Sequence, residues 1–162
     1  MDSFFRLVLR LILIPAAILI AATVQAIIVL FGQWQLGAVV SSALDDPSGL
    51  RTFSAILNAG LQTTILLGLI WTIGAVGILF SEAFAVRSWM FHVASGTVSA
   101  FLGTQLYPVM MDEPAPLADP FYVLATGLAG GLVYWLVAGW GAGFWKAVLS
   151  PPRAPALPPP PA

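Results

Sequence analysis

Side chains able to do chemistry are few in this chain and fall into three groups. His92, Ser95 and Ser99 are spaced so that a base and two hydroxyls share roughly one side of a helix. Such a set could serve acyl transfer if base and nucleophile met. Asp112, Glu113 and Asp119 lie in a proline-rich stretch and could offer oxygen ligands to a hard cation. Gln25, Asn58, Gln62, Gln105 and Thr126 are uncharged hydrogen-bonding residues set inside long apolar runs. They could join helices, or line a path for a neutral polar solute.

The first two groups have plainer readings. No nucleophile motif surrounds the serines, so His92 reads as a hydrogen-bonding residue near a membrane interface. The acidic stretch lacks the clustering that six or more oxygen ligands require. In addition, Asp119-Pro120 is the pattern of a helix N-cap followed by proline at the first helical position, and Asp46-Pro47 repeats it. The expectation is a protein without catalytic residues, metal or cofactor.

Composition sets the solvent. Of 162 residues, 59% are hydrophobic and 8% charged, against about 25% charged in an ordinary soluble domain. Mean hydropathy is +0.95. So few ionised side chains cannot coat a core this large, which points to the lipid bilayer as the surroundings. A net charge of −1 with no basic stretch makes nucleic acid an unfavourable partner. The chain has no cysteine, which removes disulfides, thiolate metal sites and thiol redox chemistry together.

The elements that must position these residues are long apolar segments. A hydrocarbon core about 30 Å thick needs about 20 apolar residues in helix. Four stretches qualify, 11–32, 55–80, 89–111 and 121–145, and His92 is their only ionisable side chain apart from tyrosines. The expected fold is therefore an all-α integral membrane protein, a bundle of four transmembrane helices making one domain over 1–149. A short interfacial helix is expected around 36–44, and residues 81–88 read as a hairpin. Residues 150–162 read as a disordered proline-rich tail, a solvated segment in preference to a docking peptide. Pro15 should kink the first span or leave a carbonyl unpaired.

Four spans place Arg6, Arg10, Arg87, Lys146 and Arg153 on one side and Arg51 alone on the other. Basic residues accumulate on the cytoplasmic side, so both termini are expected there. Trp34, Tyr107 and Tyr122 then fall at the outer boundary, and Trp89, Trp140 and Trp145 at the inner one. A competing reading makes 1–26 a cleaved signal ending in Val24-Gln25-Ala26, but the apolar run continues through Ile27 to Phe31, which favours an uncleaved span.

Association in lipid depends on close packing of small residues. The second span carries Gly60, Thr64, Gly68 and Thr72 at four-residue spacing. The third carries Ser95, Ser99 and Gly103, with Gly96, Ala100 and Thr104 beside them. The fourth carries Gly127 and Gly131, then Gly139 and Gly143. Packing within the chain is the first expectation for these ladders, with a partner helix or a second copy as further occupants. Gln25, Gln62, Gln105 and Thr126 come from four different spans at a common depth, roughly 7–11 Å below the outer surface, with Asn58 one turn above Gln62.

No acid or base lies within the hydrocarbon part of a span, which argues against a pump, a proton-coupled transporter or an intramembrane aspartyl protease. Small multidrug exporters would carry an acid in the first span, and thiol-oxidising bundles need cysteines. In composition the chain resembles small inner-membrane proteins of GC-rich bacteria, which implies the bacterial inner membrane as its location. The leading expectation is a non-enzymatic subunit or assembly factor of a membrane complex. The alternative is a small oligomeric channel or facilitator for a neutral polar solute, lined by the glutamine layer.

Overall fold

The computed structural model describes residues 2–33, 43, 49–117 and 119–143. The interfacial helix expected around 36–44 (residue 43 apart, which is helical), the Asp46-Pro47 cap, Trp34, Trp145 and the proline-rich tail thus lie outside the described residues. Among the described residues the helices with defined bounds are α1 (Asp2–Gln33), α2 (Leu50–Phe84), α3 (Trp89–Met111) and α4 (Pro120–Val137), then a 3₁₀ turn, Gly139–Gly141. No strand occurs among the described residues. Three helices are long and apolar enough to cross a membrane: α1 over Val8–Leu30, α2 and α4.

The fourth expected span, α3, has the length, with 23 residues or about 34 Å, but it falls short in hydropathy. His92 and Gln105 lower it most, and part of the reason lies in its partners. Helix α3 packs against both α2 and α4, its contact with α4 being the most extensive in the molecule. Ser95, Gly96, Ser99, Gly103 and Thr104 occupy those two contacts and are turned inward to varying degrees. Small and hydroxyl residues that permit close approach lower mean hydropathy as they do so.

Each helix packs on the next in chain order, and α1 closes on α4, giving a ring of four. The interior holds two apolar clusters. One contains Val29, Leu66, Ile70, Tyr107 and Val123 with Leu117 from the loop after α3. The other contains Ala17, Ala21, Ile78, Tyr134 and Ala138. The outside is as apolar as the inside, since Leu11, Leu19, Val76, Val98, Phe101, Phe121 and Leu136 are all exposed. A surface of that kind is suited to lipid, not water.

Several boundaries differ from the hydropathy reading. Helix α1 runs unbroken through Pro15. Helix α2 extends to Phe84, so the expected 81–88 hairpin shrinks to 85–88 and Glu82 stands in the last helical turn. Helix α4 stops at Val137, well short of 145. Gly139, Gly141 and Gly143 follow, and glycine is a poor helix former. Gly143 has φ +66° and a Cβ there would fall 2.4 Å from that of Ala85, so only glycine suits that turn.

The start of α4 agrees with its sequence signature. Asp119 Oδ1 accepts a hydrogen bond from the Phe121 amide at 2.8 Å, with Pro120 at the first position. Replacing Asp119 by alanine should cost about 1 kcal/mol in equilibrium unfolding, while Asp119→Asn should cost little. Equal losses in both variants would remove the cap from the account.

Candidate functional site

The polar groups of the bundle gather in two places. The first is the end where α2 turns into α3. Arg10, 4% exposed, comes from α1 and pairs with Glu82 of α2; its Nε donates to Glu82 Oε1 at 2.9 Å and its Nη2 makes a second, shorter bond to the same oxygen. Its Nη1 donates to Ala138 O at 2.7 Å. Glu82 Oε2 accepts from the Gly143 amide at 3.0 Å. Arg87 Nε donates to Ala142 O at 3.0 Å, while Arg87 O accepts from Trp135 Nε1 at 2.9 Å. His92 completes the group: its Nε2 donates to Val86 O at 3.3 Å and its ring packs against Tyr134, centroids 5.5 Å apart.

All four helices thus meet through charge or ring contacts at this end. Beyond the end of α4, guanidinium groups bond to two carbonyls, Ala138 O (which also accepts from the Gly141 amide at 3.2 Å) and Ala142 O. Sequence reading treats Arg10 and Arg87 as topology markers and does not pair either with Glu82. The available signal is that Glu82 is an acid on the side where basic residues concentrate.

The second place is the bundle centre. Gln25, 1% exposed, donates through Nε2 to Thr126 O at 3.1 Å, joining α1 to α4. The other residues of the proposed layer go elsewhere. Gln62 is half-buried and reaches Glu113 Oε2 at 3.4 Å; Asn58 and Gln105 are exposed. Ser95 and Ser99 turn towards Gly77 and Gly74 of α2, and Ser99 Oγ donates to Ser95 O at 2.8 Å. No serine–histidine hydrogen bond forms among the described residues. Asp112 is exposed and Asp119 is committed to its cap.

The glycine ladders divide sharply. A Cβ on Gly127 would fall 2.5 Å from Thr97 Cα, and one on Gly131 would fall 2.4 Å from His92 O. One on Gly103 would fall 2.7 Å from the Ile70 side chain, and one on Gly139 2.9 Å from the His92 ring. Those positions are used up inside the bundle. Among the described residues, a Cβ on Gly60 or Gly68 would meet nothing within 4 Å, and their neighbours Thr64 and Thr72 bond back to Gly60 O and Gly68 O. The Gly60–Thr72 ladder therefore faces outward.

Chemically, these arrangements can hold helices together and bind uncharged hydrogen-bonding groups; among the described residues they bring no nucleophile to a base. Comparison with family models, curated proteins and solved structures finds no match to this chain.

Proposed function

We propose that this protein is a four-span protein of the bacterial inner membrane, with both termini cytoplasmic, that serves as a non-enzymatic subunit or assembly factor. It presents one face of α2 to a helix of a partner membrane protein. The observation carrying this reading is the outward Gly60–Thr64–Gly68–Thr72 ladder, the small-residue pattern that admits a neighbouring helix in lipid. The same face continues through exposed Phe53 and Leu57. Helix α2 has 35 residues, about 52 Å, and overshoots a core of about 30 Å. Its first turns extend past the end of α3, because Gly77 faces Ser95, Ile70 faces Gly103 and Gln62 reaches Glu113.

Two further observations support the topology. The outer side of α3 is apolar, with Met90, Val98, Phe101 and Leu102 exposed, which suits a fourth span despite its lower hydropathy. Arg10 and Arg87 both bond to carbonyls just beyond α4, at one end of the bundle, which supports placing the basic residues on one side. The alternative is a small oligomeric channel or facilitator for a neutral polar solute; within one chain Gln105 is exposed and Gln62 reaches a loop carboxylate, so its polar path would have to run between copies.

The test is extraction from the native membrane in a lipid-preserving polymer. A partner protein should co-purify stoichiometrically with the wild-type chain and disappear from the Gly60→Leu/Gly68→Leu variant. Because both positions are open, that variant should fold and melt at or above the wild-type temperature. Recovery of the wild-type chain alone, or only as a homo-oligomer, overturns the reading.

A further inference from the structure

A cavity of about 30 Å³ lies at the centre of the bundle, between the two apolar clusters, and all four helices line it. Gln25 comes from α1, Trp71 from α2, Ser95 and Ser99 from α3, and Tyr134 from α4. Three atoms of these residues are buried without a hydrogen-bond partner among the described residues: Gln25 Oε1, Trp71 Nε1 and the Tyr134 hydroxyl. Gln25 and Tyr134 are 1% and 2% exposed, so neither reaches bulk water. The Trp71 and Tyr134 rings adjoin, centroids 6.2 Å apart.

Those three atoms specify their ligand. An indole N–H only donates, an amide oxygen only accepts, and a phenol does both. A guest satisfying all three must donate and accept at once. No acid or cation-bearing residue other than His92 lines the cavity, and the His92 Nε2 already faces Val86 O. An ion is therefore poorly matched. An apolar guest would leave three buried polar atoms unpaired, each costly. One water needs about 10–15 Å³ of such space, so the volume holds about two.

The geometry points to an internal water site at the bundle centre, in which one or two waters bridge Gln25 Oε1, Trp71 Nε1 and the Tyr134 hydroxyl. Glycine makes the room. Gly130 lies so close to Gln25 that a Cβ there would strike its amide at 2.1 Å, and Gly74 and Gly131 line the same space. Such a site lets polar side chains persist midway along apolar helices, where lipid offers them no partner. Apolar clusters flank the site on either side.

Water-edited solid-state NMR on the full chain in proteoliposomes, labelled with ¹⁵N-tryptophan, tests this. The Trp71 indole signal, assigned by its loss in Trp71→Phe, should receive magnetisation from water although Trp71 stands mid-helix. Absence of that transfer overturns the site. Stability gives a second, independent sign. If the Tyr134 hydroxyl holds water, Tyr134→Phe should lower Tm by a few degrees. If the hydroxyl is simply an unpaired buried group, its removal should raise Tm; a Tm equal to or above that of the wild type overturns the site.

Discussion

Gly131→Ala should destabilise the bundle by about 1–3 kcal/mol or more, even though alanine is the better helix former by about 1 kcal/mol. The added methyl would lie 2.4 Å from His92 O and 2.8 Å from Val93 Cα. Both are backbone atoms of α3, which cannot swing aside as a long side chain can. Gly127→Ala meets the same wall, 2.5 Å from Thr97 Cα and 2.9 Å from Gly96 O. Accommodating either methyl means moving α4 off α3, and this is the most extensive helix contact in the molecule. Close backbone approach also permits Cα–H···O contacts, which would be lost together. Gly60→Ala and Gly68→Ala are the matched controls, since a methyl there meets nothing within 4 Å. They should leave stability unchanged or raise it. Denaturant titration in lipid-like micelles separates the two outcomes, and a Gly131→Ala variant as stable as Gly60→Ala would show that α3 and α4 do not pack through glycine.

That contrast also marks how far the sequence could be read. Four-residue spacing identifies Gly60, Gly68, Gly127 and Gly131 as one kind of feature, and spacing alone cannot tell which ladder is occupied. Occupancy depends on the rotation of each helix about its axis, a tertiary property. The glutamine layer shows the same limit. Depth along a helix is set by counting residues, which puts Gln25 and Thr126 at similar height, and the Gln25 amide bonds to Thr126 O. Direction around the helix is not set by counting, and Asn58 and Gln105 emerge on the outside. Hydropathy locates α1, α2 and α4 because their apolar faces are wide. Helix α3, whose inward faces are built from serine, threonine and glycine, is lower in hydropathy. Hydropathy windows also stop at the first charge, which removes Arg10 and Glu82 from the helices that carry them.

Glu82→Ala should cost about 3–5 kcal/mol, the typical penalty for removing one partner of a buried ion pair. Arg10, buried in the bundle, would lose two of its bonds and keep Ala138 O. The Gly143 amide would lose its acceptor as well, so the turn after α4 should loosen along with the junction of α1 and α2. The loss measures an uncompensated charge and not the net worth of the pair. Coulomb attraction between Arg10 and Glu82 is offset by the cost of withdrawing both from water, so replacing both by apolar residues should be far milder than replacing one. The double variant Arg10→Leu/Glu82→Leu should accordingly recover most of the stability lost in Glu82→Ala, with a residual deficit from Gly143 N, whereas Ala138 O keeps its bond from the Gly141 amide. A double-mutant cycle on the full chain in micelles reads this directly. If the two single losses simply add, Arg10 and Glu82 do not act as a pair, and the end of the bundle is held by Arg87, Trp135 and His92 alone. If the double variant recovers, the pair acts as a specific latch: it fixes which end of α1 meets which end of α2 while adding little net stability. That role suits a bundle whose α1–α2 contact is the least extensive of the four in its ring.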